Sequence, residues 1–393
     1  MSARAGNLSA LADISVAELE NLRQALHHVM AIESGIGPSP IDLSCVDTDR
    51  FVQTASRHRL SVCFGPHVEA LNLPEDARAR VARRAAREQL IALQCAAALA
   101  EAVGVLTDDG MRVLAVKGIA LALQTTGAAA GRGSGDIDLW VAEPDVTRAR
   151  ELLAGIGYVE PPGAVTMPIS GRVENYRMWS GFELELVRGK SPLDLHWSLT
   201  TGRRLLPTFD DAWNRREFVS VAGREVPTLS LNDAFTHTCL HAYKDGWRWL
   251  RSLVDVARLA RRIPANDLAQ LALIRPVALS ALIAHDAAGG AALEPLLPHG
   301  NRAIERARAT ADAQQRGDAW TLDGSRARST WVWLHQQLDL ANGPRDIART
   351  VSSYALPPNS LGIGADGATH GAMEVLSQRI SAVSSRARKP SSR

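Results

Sequence analysis

An eleven-residue stretch, residues 131–141, most constrains what this chain can fold into. It reads Gly-Arg-Gly-Ser-Gly-Asp-Ile-Asp-Leu-Trp-Val, and its second half has the apolar composition of a strand. Successive strand side chains point to opposite faces, so Asp136 and Asp138 share one face. At ~3.3 Å of rise per residue, the two carboxylates lie about 7 Å apart along the strand. Because Mg²⁺ prefers carboxylate oxygens, water and substrate phosphates, the pattern predicts a magnesium site.

The glycine-rich residues 131–135 precede this strand. Glycines allow a tight turn whose backbone approaches an anionic ligand. Arg132 adds a positive charge there, and we expect Arg132 and Ser134 to contact bound phosphate. The Asp-x-Asp pair taken alone favours the polar face of a half-exposed edge strand.

Two neighbouring segments weigh against that edge-strand interpretation. Upstream, residues 111–116 read as an apolar strand that ends at Lys117-Gly118 and enters a helix. Downstream, residues 191–199 read as a strand that carries Asp194 and His196 on one face. A strand, a glycine turn, a helix, an Asp-x-Asp strand and a later strand acid together predict a catalytic site.

A hairpin is predicted immediately before Asp194. Residues 182–186 alternate apolar and acidic side chains with the period of a strand, and a Gly-Lys-Ser-Pro turn follows them. In an antiparallel pair, Glu183 or Glu185 would lie beside Asp194 and join the metal site, or would form a solvent-facing row.

These motifs, in this order, resemble the nucleotidyltransferase superfamily with its polymerase-beta-like fold. They are most similar to a poorly characterised branch of it, and they cover roughly residues 110–200. The matching segments are Val116-Lys117-Gly118, Arg132 to Val141, Gly157-Tyr158, and Leu193-Asp194-Leu195-His196-Trp197. One departure is that the wider superfamily has Gly-Ser after its first strand, where this chain has Lys117-Gly118. The hydroxyl group that normally meets a phosphate is therefore missing.

The resemblance implies an α+β fold, in which a small mixed β-sheet forms the nucleotidyltransferase core between N-terminal and C-terminal helical segments. It implies that Asp136, Asp138 and Asp194 are the catalytic residues and the ligands of two Mg²⁺ ions. Asp194 would bind the second ion or act as base toward the acceptor hydroxyl. ATP or another nucleoside triphosphate would be the co-substrate.

Three further residues are candidates for nucleotide binding at the same site. The backbone N–H of Gly118 opens a helix, a position that suits a phosphate. Lys117 would supply the charge that the missing serine cannot, or would be a strand-end lysine in solvent. His196 would orient Asp194 or line the acceptor side.

Nucleotidyl transfer to a hydroxyl or similar acceptor is therefore the leading hypothesis. The same site would also suit transfer of the γ-phosphoryl group by a kinase, and the missing serine keeps that alternative open. A nucleotide-binding module without turnover is the third possibility. The acceptor would be a small molecule or a peptide, since genes of the resembled branch are associated with peptide natural-product biosynthesis.

Composition limits the other possibilities. Hydrophobic residues make up 46% and charged residues 22% of the 393-residue chain, and the net charge is +2. That charge gives no indication of nucleic-acid binding. The four scattered cysteines favour a reducing, cytoplasmic location. No uninterrupted apolar run of about 18 residues occurs, so we expect no transmembrane helix and no membrane partner. The oligomeric state is not indicated.

Four regions are predicted along the chain. They are an N-terminal helical region (1–109), the nucleotidyltransferase-like core (110–222), a C-terminal helical domain (223–350) and a disordered basic tail (351–393). We expect residues 357–393 to bury little, because large apolar residues are rare in them.

Helix patterns support the helical regions. A capping box begins at Ser15, a long helix runs from Pro74 to Asp109, and another runs from Ser230 to about Arg262. In the last helix, His237 and His241 share a face. They would pack or line a cleft, or would form a metal pair.

Overall fold

The computed structural model describes most of the chain. The described residues are 14–162, 164–165, 171–200, 205–297, 301–317, 334–341, 343–363, 369–370 and 377. Trp331 and Trp333, expected from the sequence to be packing residues, lie outside this set.

Helices dominate the structure, and they are numbered here in chain order. They are α1 (Val16–Glu33), α2 (Thr48–Arg57), α3 (Ser61–Phe64), α4 (Glu75–Asp108), α5 (Gly118–Thr126), α6 (Val146–Gly155), α7 (Arg172–Ser180), α8 (Phe209–Asn214), α9 (Leu231–Lys244), α10 (Leu250–Ala260), α11 (Ala265–Leu271), α12 (Arg275–Ala288), α13 (Asn301–Arg316) and α14 (Pro344–Ala355).

Six strands form one mixed sheet in the order β3-β4-β2-β1-β6-β5. They are β1 (Val113–Ala115), β2 (Ile137–Val141), β3 (Glu183–Arg188), β4 (Ser191–His196), β5 (Glu217–Val221) and β6 (Arg224–Thr228). The β2–β4 and β1–β6 pairs are parallel, and the other three pairs are antiparallel. A sheet flanked by helices confirms the predicted α+β class.

The chain divides into two compact units. The helical unit comprises Met1–Gln94, Leu121–Ser134 and Leu231–Gln336. The sheet unit comprises Cys95–Ala120, Gly135–Ser230 and Gln337–Arg393. Each unit has its own buried apolar core, and the sheet contributes the fully buried strand β2 to the second.

Local sequence signals set several helix ends. Ser15 accepts a hydrogen bond from the backbone N–H of Glu18, and the Glu18 carboxylate accepts one from the N–H of Ser15. This reciprocal capping box confirms the predicted start of α1. Helix α4 follows its predicted range to within one residue at each end.

Helix α4 also bears on the expected absence of a membrane span. By length and composition alone it is long and apolar enough to cross a membrane, and 56% of its most apolar 18-residue stretch is buried inside the protein. The core helix of a globular domain meets the same criterion, so this finding is weak evidence for a span.

The helix predicted from Ser230 to Arg262 is two helices in the structure, α9 and α10. Gly246 and Trp247 both adopt positive φ, +64° and +56°, between them. A left-handed residue ends a helix, and the strained Trp247 is held by burial and by its indole N–H, which donates to Ser280 Oγ at 2.9 Å.

The sheet extends beyond the core boundary predicted at residue 222. That position falls in the turn between β5 and β6, and β6 pairs with β1. The Thr228 hydroxyl donates to the Ala115 carbonyl at 2.7 Å, which joins the two strands further. The sequence did not indicate this pairing, because Ala115 and Thr228 lie 113 residues apart in the chain.

The structure also differs from the predicted tail boundary at residue 351. Helix α14 continues to Ala355, where the Tyr176 hydroxyl donates to the carbonyls of Ser352 and Leu356. Leu361 is 3% exposed, and its carbonyl accepts a hydrogen bond from Arg177. Residues 351–361 therefore pack on α7. The tail's basic residues from Arg379 onward lie outside the described residues.

Candidate active site

The turn between β1 and α5 begins the site. Lys117 has a φ of +55° and Gly118 a φ of +41°. Left-handed backbone is uncommon for a residue with a side chain and clusters at functional sites. The turn is tied to β2, because the Val116 N–H donates to the Asp138 carbonyl at 3.0 Å. It thereby places Lys117 beside the first strand of acids.

The parallel pairing of β2 and β4 brings the predicted acids together. Asp138 and Asp194 are register partners, and Trp140 is the partner of His196. Neighbouring strands are ~4.8 Å apart, and side chains two residues apart share a face. Asp138, Asp194 and His196 therefore share one face, and Asp136, which directly precedes β2, lies close enough for its charge to act on Asp194. We call these residues, with Lys117, the acid ladder.

Asp138 is the most tightly held member of the acid ladder. Its Oδ1 lies 3.1 Å from His196 Nε2 and 3.4 Å from Lys117 Nζ. Burial alone raises the pKa of this carboxyl, but Lys117 and His196 outweigh burial and hold it well below its ordinary value. Because an ionised carboxylate only accepts hydrogen bonds, His196 Nε2 is the donor.

The pKa of Asp194 shifts in the opposite direction to that of Asp138. Burial, followed by the charges of Asp138 and Glu183, raises the pKa of Asp194 to about 8, although Lys117 acts against the rise. The protonated, neutral form of this carboxyl is therefore favoured over the charged form. Burial lowers the pKa of Lys117, but the surrounding carboxylates raise it above its ordinary value, so this lysine stays charged.

Glu183 is a member of the site that sequence reasoning left open. It is the register partner of His196, and its Oε2 lies 3.4 Å from His196 Nδ1. Glu185, the other candidate, is the register partner of Asp194. Glu183, His196 and Asp138 form a line in which the histidine stands between two carboxylates. The alternation of residues 182–186 was the signal for this arrangement.

Two other predicted residues lie in the helical unit. The Arg132 side chain is 9% exposed, and its Nε donates to Asp255 on α10 at 2.7 Å. Ser134 is buried, and the neighbouring carbonyl of Gly133 accepts a hydrogen bond from Arg251 at 2.6 Å. Within this unit, Arg132 therefore acts as an ion-pair partner that ties the glycine-rich loop to α10.

The histidines of α9 form a packed pair. The rings of His237 and His241 meet edge to face with centroids 6.2 Å apart, and His241 Nδ1 lies 3.5 Å from Asp245 Oδ2. Among the described residues, no group of three or more His, Cys, Asp or Glu side chains converges closely enough to hold a metal ion.

The acid ladder nevertheless has the donor chemistry that suits Mg²⁺. The ion is commonly held by one or two carboxylates and completed by water and substrate phosphates. Asp136 and Asp138 supply the carboxylates, and four acids surround the single Lys117. A site with this excess of negative charge fits a divalent cation accompanied by a nucleotide.

A comparison with known protein families shows which family the chain belongs to. The profile of a family described as uncharacterised nucleotidyltransferase matches residues 44–284, more than half of the chain. The chain belongs to this nucleotidyltransferase family. No curated protein and no solved structure matches the chain significantly. The family match takes in all six strands of the sheet and the whole acid ladder, and it supports nucleotidyl transfer as the general activity.

Proposed function

We propose that the protein is a Mg²⁺-dependent nucleotidyltransferase that uses ATP or another nucleoside triphosphate and moves a nucleoside monophosphate to a hydroxyl or similar acceptor. The acceptor is a small molecule or a peptide. The observation that carries the proposal is the in-register pairing of Asp138 with Asp194 beside Lys117. That pairing occurs in a chain of the nucleotidyltransferase family.

Asp136 and Asp138 are the residues that would hold Mg²⁺, which would neutralise phosphate charge and hold the triphosphate in line for displacement. Asp194 would complete the ion's surroundings or act as the base. Lys117 Nζ and the Gly118 N–H bind phosphate oxygens near the start of α5. His196 fixes Asp138 through its Oδ1, and Glu183 lies against the other ring nitrogen of that histidine.

In the base role, Asp194 accepts the proton of the acceptor hydroxyl. The register pairing of Asp194 with Asp138 supports this role, because it places the Asp194 carboxyl beside the proposed Mg²⁺ and triphosphate site, and a general base must lie within reach of the proton that it accepts. The acceptor oxygen then forms a bond to the α-phosphorus, the bond from that phosphorus to the bridging oxygen breaks, and pyrophosphate leaves. Lys117 stabilises the charge that accumulates on the phosphate oxygens.

Transfer of the γ-phosphoryl group is the second candidate. The observation that favours it is the Lys117-Gly118 turn, which lacks the hydroxyl found at this point in the wider superfamily. Positioning and electrostatics dominate that chemistry too, and the same acids would serve it.

Turnover of ATP labelled separately at the α and γ phosphorus distinguishes the two reactions. The purified protein is incubated with Mg²⁺, each labelled ATP and a panel of hydroxyl-bearing small molecules and peptides. We expect the α label to enter a product while pyrophosphate is released. Release of ADP with the γ label on the product would reject nucleotidyl transfer in favour of the kinase.

A further inference from the structure

One buried ring nitrogen in the acid ladder lacks a hydrogen-bond partner. His196 is fully buried, and its Nε2 donates to Asp138 Oδ1 at 3.1 Å. Its other ring nitrogen, Nδ1, makes no hydrogen bond among the described residues. A buried polar group without a partner is rare in a native protein and calls for an explanation. A partner for Nδ1 is therefore expected when the site binds its ligands.

Glu183 is the group that lies beside this nitrogen. Its Oε2 is 3.4 Å from His196 Nδ1, and the two residues are register partners on β3 and β4, so their side chains leave the sheet side by side. A hydrogen bond of ~2.9 Å would need a movement of about half an ångström. The Glu183 side chain is 34% exposed and has room for it. Hydrogen bonds at catalytic sites are often long before the ligand binds and tighten in the complex.

The contact between His196 and Asp138 depends on the orientation of the imidazole ring. The Phe182 ring lies nearly parallel to it, with centroids 6.4 Å apart and an angle of 16° between the planes. Such stacking does not distinguish two orientations related by a half-turn about the Cβ–Cγ bond, because the ring plane is the same in both. A half-turn would put carbon atoms in the places of Nδ1 and Nε2. Bonds at both nitrogens therefore select the orientation in which Nε2 meets Asp138.

We propose that Glu183 is a positioning residue that acts through His196 on Asp138. The inference rests on the proposed nucleotidyltransferase function, which makes Asp138 a ligand of Mg²⁺. Glu183 bonds to His196 Nδ1, the ring keeps its Nε2–H on Asp138, and the Asp138 carboxylate is held in place for the ion. Glu183 is then neither a metal ligand nor part of a solvent-facing row, the two roles that the sequence left open. Partners that orient a metal ligand typically contribute ~10–100-fold to metal affinity.

Binding of a non-hydrolysable ATP analogue with Mg²⁺ tests this role without requiring an acceptor. Calorimetry compares the parent with Glu183→Gln, Glu183→Met, His196→Phe and the double variant Glu183→Met/His196→Phe. Glutamine can donate or accept a hydrogen bond at Nδ1, whereas methionine has a similar length and is at most a weak acceptor. His196→Phe keeps a ring without its nitrogens. Glu151→Met is the matched control, because Glu151 is an exposed acid that pairs with Arg148, and thermal melting verifies that each variant folds.

Glu183→Met should weaken binding of the analogue about tenfold, at the lower end of the range for a partner that orients a metal ligand. Glu183→Gln should stay within about threefold of the parent, because a charge that is one-third exposed contributes little by itself. Glu151→Met should match the parent. When His196→Phe is already present, Glu183→Met should cost nothing further, because the two residues act in series.

Parent-like binding by folded Glu183→Met would overturn the positioning role. Binding by Glu183→Gln as weak as that by Glu183→Met would overturn it too, because the charge of Glu183 rather than its hydrogen bond would then matter. The same tenfold cost of Glu183→Met in the His196→Phe protein would show that Glu183 does not act through the histidine. A parent protein that does not bind the analogue would instead overturn the proposed function, and the positioning role with it.

Discussion

The helical unit and the sheet unit both bury charged side chains, but they balance the charges differently. In the helical unit, Asp255 is paired with Arg132 at 2.7 Å, and Glu33 lies between Arg258 and Arg261. Burial alone raises the pKa of Glu33, but the two arginines outweigh burial and lower it. Both of these acids have a cation at hand.

In the sheet unit, by contrast, the carboxylates Asp136, Asp138, Asp194 and Glu183 surround Lys117. The charges do not balance, and burial together with the charges of Asp138 and Glu183 raises the pKa of Asp194. Balanced pairs hold a fold together, whereas an excess of negative charge is suited to a cation that arrives with a substrate. The comparison distinguishes acids that are paired with arginines from acids that outnumber the nearby cations.

The largest expected effect is on turnover. Asp138→Asn should lower activity by about a hundred- to a thousandfold, the range seen when one preorganised electrostatic group is removed. Asp136→Asn should act in the same direction. The matched control is Asp108→Asn, which removes one charge from an exposed pair with Arg224. Parent-like turnover in folded Asp138→Asn would show that this carboxylate is not functional.

The paired charges of the helical unit predict a loss of stability rather than a loss of turnover. Asp255→Leu leaves the Arg132 guanidinium buried without its carboxylate, which should cost about 3–5 kcal/mol of unfolding free energy. The double variant Asp255→Leu/Arg132→Met should recover most of the loss, because both charges are then gone. Urea unfolding measures both. A single variant as stable as the parent would mean that the pair is not structural.

A third arrangement of buried charge lies on α7. Arg177 is 3% exposed, and its guanidinium donates to the carbonyls of Val165 and Leu361. Burial lowers the pKa of Arg177 to about 10. Removing residues 357–393 takes away one acceptor and the buried Leu361 side chain, which should cost about 1–3 kcal/mol. Truncation after residue 370 keeps the acceptor and the Leu361 side chain, and serves as the control. Equal melting midpoints for the two truncated proteins would show that Leu361 does not stabilise the fold.

The last prediction concerns how stability depends on pH, measured in chelator. Because the folded pKa of Asp194 is raised to about 8, its contribution to stability is full below its ordinary pKa of ~3.9 and is lost as the pH rises toward 8. Asp194→Asn should remove this decline, so the variant gains on the parent between about pH 4 and 8. Parallel stability curves for the two proteins would count against the excess of negative charge.

The acid ladder was largely predictable from sequence, because it depends on strand periodicity. Asp138, Asp194 and His196 fall on one face once two short strands are recognised, and Asp136 directly precedes the first of these strands. The role of Arg132 was not predictable, since its partner Asp255 lies 123 residues further along the chain. The β1–β6 pairing and the packing of Leu361 escaped prediction for the same reason. Local patterns specify faces and helix ends, whereas contacts between distant segments depend on tertiary packing.

The most direct test of the account is calorimetric binding of Mg²⁺ with a non-hydrolysable ATP analogue. The parent protein and Asp108→Asn should bind the analogue equally, and only when Mg²⁺ is present. Asp138→Asn should lose at least about tenfold in affinity, equivalent to ~1.4 kcal/mol. If Asp138→Asn bound the analogue as tightly as the parent, or if binding did not depend on Mg²⁺, the acid ladder would not be the site that binds nucleotide and metal.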